Sequence, residues 1–303
     1  MRVIFAGTTD FGIPTLEKLK SEHELLAVVT QPDKPAGRKK ILSPSPIKLW
    51  AEKNNIQVFQ PEKILNLKSE ILNLAPDILL VAAYGQIIPR TALDTPKHGA
   101  INIHGSLLPK YRGASPIQTA ILNGDKTTGI TLFLMDEKLD HGPILAQATI
   151  TINNDDNYPS LYKKLSLLTP DLALSTLINL NNIEPKPQDE TQATYTKLFT
   201  LKDGKINWTD EARIIDRQIR ALNPEPGTWT ILDSQSVKIL EAQTIDGAGV
   251  ELSGKIYSSN GKMLVKCGIG SLWIKKIQPA GRKPMSGADF LNGLKKSETK
   301  IFV

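Results

Sequence analysis

Asn102 and His104 stand two residues apart in Ala100-Ile101-Asn102-Ile103-His104, a run whose other members are apolar. Such a run reads as a β-strand. Strand side chains alternate faces, so the amide and the imidazole project from one face about 7 Å apart along the chain. At that spacing both reach a single reacting carbonyl. Donors fixed beforehand around an oxygen that gains negative charge are often the largest single contribution to catalysis, and an amide with a protonated imidazole makes such a pair. The sequence continues with Gly105, Ser106-Leu107-Leu108-Pro109 and the polar stretch Lys110-Tyr111-Arg112-Gly113-Ala114-Ser115 before Pro116. Ser115 is suited to cap a helix with Pro116 in its first turn. Loops leaving the carboxyl ends of parallel strands are where open α/β sheets hold ligands.

Positioning that strand takes a sheet. Val3 to Ala6, Leu25 to Thr30, a short run near Val58 and Ile78 to Ala83 are strand-like, with helical stretches at Ile13 to Lys20, Ile47 to Asn54 and Leu67 to Leu74 between them. This alternation predicts a parallel, Rossmann-like sheet of the α/β class. A helix over Pro116 to Leu122 leads through turn signals to strands at Ile130 to Met135 and Ile144 to Ile152, expected to form a hairpin around Asp140. Leu161 to Leu180 has helical periodicity, with an interruption expected near Pro170. Pro185-Lys186-Pro187-Gln188-Asp189-Glu190 has a linker's composition. Past Gly204 a helix at Glu211 to Leu222 precedes short strands with frequent glycines, the texture of a small β-barrel. The expected boundaries are a first domain over 1–185, a linker over 186–203 and a second domain over 204–303.

Composition narrows the function. A chain of 303 residues with 40% hydrophobic content holds one or two ordinary cores. The single cysteine, Cys267, excludes an internal disulfide framework, and the four histidines have no structural-zinc spacing; no metal is expected. The apolar start is too short for a signal peptide and no run approaches a membrane span, so a cytoplasmic location is expected. Gly7-Thr8-Thr9-Asp10-Phe11-Gly12 lacks the second glycine of a dinucleotide fingerprint, and there is no lysine-bearing phosphate loop. The net charge of +6 is uneven: residues 204–303 hold 15 Lys and Arg against 10 Asp and Glu, an excess of five. A basic second domain behind a near-neutral first one suits an anionic macromolecule. Gln31 to Pro46 is long, proline-rich and basic, too long for a mere connection.

Asn102, His104 and the loop Ser106 to Pro109, together with Asp140 in Met135-Asp136-Glu137-Lys138-Leu139-Asp140-His141-Gly142-Pro143, resemble the active site of the folate-dependent formyltransferases, and the resemblance extends to both ends of the chain. It implies catalytic roles for Asn102, His104 and Asp140. Beside His104, a carboxylate would favour the charged imidazole and orient it, and it would take or relay a proton from the attacking amine. The plain alternative for Asp140 is a hairpin-turn residue. The resemblance further implies that Ser106, Leu107, Leu108 and Pro109 line the site of 10-formyltetrahydrofolate, a flat heterocycle suited to apolar walls with a few oriented polar groups. Arg112 is placed to meet a ligand's carboxylate or phosphate, or a partner within its own domain. Two residues depart from the common pattern: His141, where Thr is usual, and Pro143, where an acidic residue is frequent.

The acceptor is read from the rest of the chain. Pro35-Ala36-Gly37-Arg38-Lys39-Lys40 resembles the loop with which formyltransferases acting on initiator methionyl-tRNA enter the acceptor end, Arg38 making the main contact and Lys39 and Lys40 attracting phosphate. The second domain is expected to be OB-like, with Lys255, Lys262, Lys266, Lys275, Lys276 and Arg282 as candidate backbone contacts. Ile277-Gln278-Pro279-Ala280-Gly281-Arg282-Lys283-Pro284-Met285-Ser286 closely matches the ending of these enzymes. The expected activity is formylation of methionyl-initiator tRNA by a monomer with no membrane partner; a formyltransferase acting on an amino-sugar nucleotide or other small amine is the alternative.

Overall fold

Seven strands among the described residues form the sheet of the first unit in a computed structural model: β1 (Arg2–Gly7), β2 (Glu24–Val29), β3 (Gln57–Phe59), β4 (Ile78–Ala82), β5 (Ala100–His104), β6 (Thr127–Leu134) and β7 (Ile144–Thr151). The structure describes residues 1–36, 41–245, 252–294 and 300–303. The sheet order is β7-β6-β5-β4-β1-β2-β3. Strands β1 to β5 pair in parallel, and β6 and β7 extend the sheet antiparallel beyond β5. The chain starts centrally at β1, fills one side with β2 and β3, then turns to the other with β4 and β5. That reversal is the Rossmann-like switch, and the crevice it creates lies at the strands' carboxyl ends.

Residue pattern explains the layers. All five residues of β4 are buried, as expected of a parallel strand covered on both faces. Edge strand β7 instead alternates in exposure along Ile144–Thr151. One face packs Ile4, Ala6, Val29, Leu79 and Val81 against Ile64, Ile71, Ile88 and Leu93. Helices α1 (Ile13–Glu22), α2 (Pro46–Lys53) and α3 (Lys68–Leu74) follow the predicted alternation; α4 (Pro116–Asn123) falls, after Pro116, in the second unit, and α5 (Tyr158–Ile178) lies in the first unit from Ser160 on. Ser45 caps α2 by accepting the Lys48 N–H at 3.1 Å. At the carboxyl edge, Thr8 N–H donates to Ala83 O at 3.2 Å. The Tyr84 carbonyl accepts from Thr8 Oγ1 and Gln31 Nε2, both at 2.8 Å. Those bonds tie the ends of β1, β2 and β4 together.

Pro170 does not interrupt α5, contrary to the expectation from sequence. Proline removes the N–H that would bond the carbonyl four residues back, here that of Ser166. The Thr169 hydroxyl donates to that carbonyl at 2.8 Å, and Thr15 Oγ1 lies 2.8 Å from the same hydroxyl. A side-chain donor thus stands in for the missing backbone donor.

The second unit comprises Ile117–Lys126, Ile152–Pro159 and Lys197–Val303. Its antiparallel sheet contains β8 (Trp229–Leu232), β9 (Gln235–Ile245), β10 (Ile256–Ser259), β11 (Lys262–Lys266) and β12 (Ser271–Pro279), ordered β8-β9-β12-β11-β10, with β13 (Met285–Ser286) on β12. Register shifts around Glu241 in the β9–β12 pair act as bulges, which bend a strand and help the sheet curl into a half-barrel. Helix α6 (Ala212–Leu222) buries Ala212, Ile215 and Ile219, a helical spacing, into a core with Ile239, Val265, Leu272 and Ile274. Trp208 stacks on Phe302 at 5.5 Å between ring centroids. Cys267 is buried there, which pushes its thiol up to about 12 and leaves it chemically quiet. The segment 186–196, of linker composition, belongs to the first unit.

The stand-in hydroxyl gives a stability test. Thr169→Val removes the donor to a buried carbonyl and should lower stability to urea by about 1–3 kcal/mol, whereas Thr169→Ser, which keeps the hydroxyl, should cost less. Equal losses in the two variants would show that the hydroxyl does not hold the helix through Pro170.

Candidate active site

Strand β5 delivers Asn102 and His104 to one face, as its period requires, with Asn102 opposite Phe133 and His104 opposite Thr131 of β6. His104 is 6% exposed. Its Nε2 lies 2.8 Å from the Tyr111 carbonyl oxygen. A carbonyl only accepts, so Nε2 carries a hydrogen and Nδ1 is the nitrogen left to exchange protons. Nδ1 is 3.6 Å from Asp140 Oδ2, while Asn102 Nδ2 donates to Asp140 Oδ1 at 3.4 Å. The three side chains therefore converge.

Asp140 is held by its surroundings. Its Oδ2 accepts the Gly113 N–H at 2.7 Å, and its backbone has φ +47°, in the left-handed region that Asp tolerates better than most residues. Gly142 follows, where a Cβ would come within 1.7 Å of the Leu134 carbonyl oxygen. Only glycine allows the turn to fold back on β6.

The Ser106–Pro109 loop alternates in burial: Ser106 and Leu108 point inward, whereas Leu107 and Pro109 remain half-buried. Ser106 Oγ donates to Lys110 O at 2.6 Å. Thr131 Oγ1 donates to Ser106 O at 2.7 Å and accepts the Leu108 N–H at 3.0 Å. Gln147 Nε2 reaches both Leu108 O and Thr131 Oγ1 at 2.9 Å. Leu107 also sits over Gly129, where a Cβ would meet Leu107 Cδ2 at 2.6 Å. The loop is thus braced from beneath and offers apolar surface beside His104, a surface that fits a flat heterocycle. Thr131 and Gln147 were not singled out from sequence; their only signal is a polar residue in an otherwise apolar or alternating strand.

Arg112 proves to have its partner within the unit. Its side chain is 1% exposed and reaches Glu190 Oε1 and Oε2 at 2.7 and 3.0 Å, and Gln188 Oε1 at 2.8 and 3.0 Å. The bidentate pair raises the guanidinium's pKa and holds the Glu190 carboxyl below its usual range. His141 is half-buried: Nδ1 lies 2.6 Å from Asp136 Oδ2 and Nε2 3.4 Å from Glu190 Oε1. Tyr84 is 2% exposed within the sheet core, and burial pushes its phenol up to about 12.

Arg38, Lys39 and Lys40 lie outside the described residues. Flanking them, Lys34–Ala36 and Ile41–Ser43 pair as an antiparallel ribbon. At its base Asp33 accepts from Lys48 at 2.8 Å and Gln60 at 2.6 Å, which hold its carboxyl below the usual range. In the second unit Lys262, Lys275, Lys276 and Arg282 are exposed, whereas Lys266 is 6% exposed and poorly placed to meet a partner. No helix among the described residues is long and apolar enough to cross a membrane.

The chain is similar to known proteins along nearly its whole length. Residues 1–177 match the formyl transferase family model, and residues 199–295 match that of the formyl transferase C-terminal domain. A methionyl-tRNA formyltransferase of Staphylococcus aureus (strain MW2) is 41% identical over 298 residues, covering 96% of both chains. That of Halalkalibacterium halodurans is 41% identical over 300 residues, covering 97% of this chain and 95% of its own. Among solved structures, an N-formyltransferase from Helicobacter canadensis in complex with folinic acid and dTDP-3-aminofucose superposes with a TM-score of 0.68 at 23% identity, covering 91% of this chain and 98% of that one. That similarity concerns the fold. The family match spans every residue of the converging trio and the relatives align almost end to end: the chain belongs to the formyl transferase family.

Proposed function

We propose that the chain transfers the formyl group of 10-formyltetrahydrofolate to the free amino group of methionyl-initiator tRNA, giving N-formylmethionyl-tRNA for translation initiation. The carrying observation is near-complete alignment, at about 40% identity, with proteins named for this reaction. The convergence of Asn102, His104 and Asp140 supplies the chemistry. In this reading the first domain performs the transfer, the C-terminal sheet domain holds the RNA, and the protein works in the cytoplasm as a monomer.

The reaction exchanges one carbon–nitrogen bond for another: the acceptor nitrogen bonds to the formyl carbon, the bond to the folate nitrogen breaks, and one proton passes from the first nitrogen to the second. The exchange is redox-neutral and needs no covalent bond to the protein. Asn102 Nδ2 and a protonated His104 Nδ1 donate to the formyl oxygen as it gains negative charge. Since an amine must be neutral to attack, the Asp140 carboxylate takes its proton, and one proton passes on to the folate nitrogen as that nitrogen leaves. Asp140 keeps the imidazole aligned, because its own carboxylate is fixed by Gly113. Ser106, Leu107, Leu108 and Pro109 are assigned to the folate, with Leu107 and Pro109 presenting the apolar surface.

For the RNA, Arg38 makes the principal contact, assisted by Lys39 and Lys40. In the second unit Trp273 has the Lys262 and Lys275 ammonium groups 4.1 and 4.9 Å from its ring centroid. That is a cationic, partly aromatic patch suited to a phosphate backbone.

With labelled formyl donor, label should enter charged initiator tRNA and not an amino-sugar nucleotide; the reverse would overturn the assignment. His104→Ala and Asn102→Ala should each lower the single-turnover rate about 10²- to 10³-fold without unfolding the protein; rates near that of the unaltered enzyme would remove them from the chemistry. Arg38→Ala should weaken use of the tRNA by about tenfold or more and flatten its salt dependence, with folate binding unchanged; equal loss for both substrates would count against the loop's role.

A further inference from the structure

Gln188 and Glu190 lie in a stretch whose composition marks it as a connection, yet both side chains are committed to the neighbours of the catalytic groups. The Gln188 carboxamide does two jobs. Its Oε1 accepts from Arg112 Nε and Nη2 at 3.0 and 2.8 Å, and its Nε2 donates to Asp140 O at 2.9 Å and Gly142 O at 2.8 Å. It therefore fastens the backbone on both sides of His141, in the turn where Asp140 adopts φ +47°. Backbone in that region persists only when its surroundings impose it. Glu190 then closes a fork around the other edge of the Arg112 guanidinium, and Tyr195 Oη lies 3.3 Å from Nη1.

The same stretch holds the second wall. Thr194 accepts from Tyr111 N on its hydroxyl at 2.9 Å and from Arg112 N on its carbonyl at 2.8 Å. Tyr195–Thr196 pairs in parallel with Arg112–Gly113. Tyr111 supplies the carbonyl that orients His104, and Gly113 supplies the N–H that fixes Asp140. Both partners of the His104–Asp140 pair thus take their positions from residues 188–196.

We propose that residues 188–196 form a positioning strap for the site, with Gln188 as the positioning residue that sets Asp140 against His104 and Arg112 as its buried anchor. The proposal rests on the reading of Asp140 and His104 as catalytic. An amide is required at Gln188 because it alone among side chains of this length presents an acceptor to the guanidinium and two N–H donors to the carbonyls. A carboxylate would serve Arg112 but face the two carbonyl oxygens without a hydrogen. An alanine would serve neither.

The test compares Gln188→Glu and Gln188→Ala with the unaltered enzyme in two measurements. In steady-state formyl transfer to charged initiator tRNA, kcat should fall about 10- to 100-fold, as ångström-scale misplacement of a reacting group does, while KM for both substrates changes about threefold or less. In hydrogen exchange read by NMR, the Gly113 amide should exchange at least about tenfold faster while the amides of β1 and β4 keep their protection. Using both variants guards against one failing to fold. Unchanged kcat in a folded variant, a rise confined to KM, or full protection at Gly113 would overturn the strap. The exchange measurement stands apart from the choice of substrate: loss of protection at Gly113, in an enzyme that formylates some other amine, would retain the strap and discard the tRNA reading.

Discussion

The bond from His104 Nε2 to the Tyr111 carbonyl is the constraint on which the site depends. By consuming one ring nitrogen as an obligatory donor, it fixes the tautomer and leaves Nδ1 facing Asp140. Were Tyr111 displaced, the ring could rotate and the distinction between its nitrogens would be lost. Much of the surrounding structure can be understood as holding Tyr111, Gly113 and the turn at Asp140 in register with a strand end. The parallel sheet supplies the strand, and the strand-end loops close back on themselves through hydrogen bonds rather than through apolar packing alone.

Where the residues of one strand or one turn carry the pattern, the sequence was enough. The two-residue spacing of Asn102 and His104 reported their common face because β5 is regular, and the turn signals around Asp140 reported the hairpin between β6 and β7. Contacts made across the chain were not legible. Gln188 and Glu190 lie 76 and 78 positions from Arg112, and no local periodicity records such a distance, so their Pro-rich surroundings read as linker. Arg112 likewise admits two readings from sequence, and its bonds to Gln188 and Glu190 decide between them. Pro170 shows the opposite failure, in which a sound local rule is defeated by one hydroxyl: Thr169 supplies what the proline lacks.

The two units answer different physical demands. The first concentrates its polar side chains at one edge of a covered sheet, where each finds several partners. The second places lysines on the outer face of a curled antiparallel sheet, whose inner face is filled by Ile239, Met263, Leu272 and Ile274. Alternation along β11 and β12 makes this possible, since Met263 and Leu272 turn inward while Lys262 and Trp273 turn outward. Curvature is helped by register shifts on both sides of Glu241 in the β9–β12 pair, one extra residue lying in each strand. A charged outer face then costs the core nothing.

A buried guanidinium at Arg112 is an expensive way to join two loops. Well-packed apolar residues of similar volume often give equal or better stability than a buried ion pair. They cannot, however, define where a carbonyl oxygen or an amide hydrogen points, because dispersion contacts are individually weak and not directional. Arg112 meets Gln188, Glu190 and Tyr195 in a planar fork, and Gln188 transfers that orientation to the carbonyls of Asp140 and Gly142. The Asp140 turn is held by such directional bonds, and an apolar staple in their place would leave its carboxylate free to rotate.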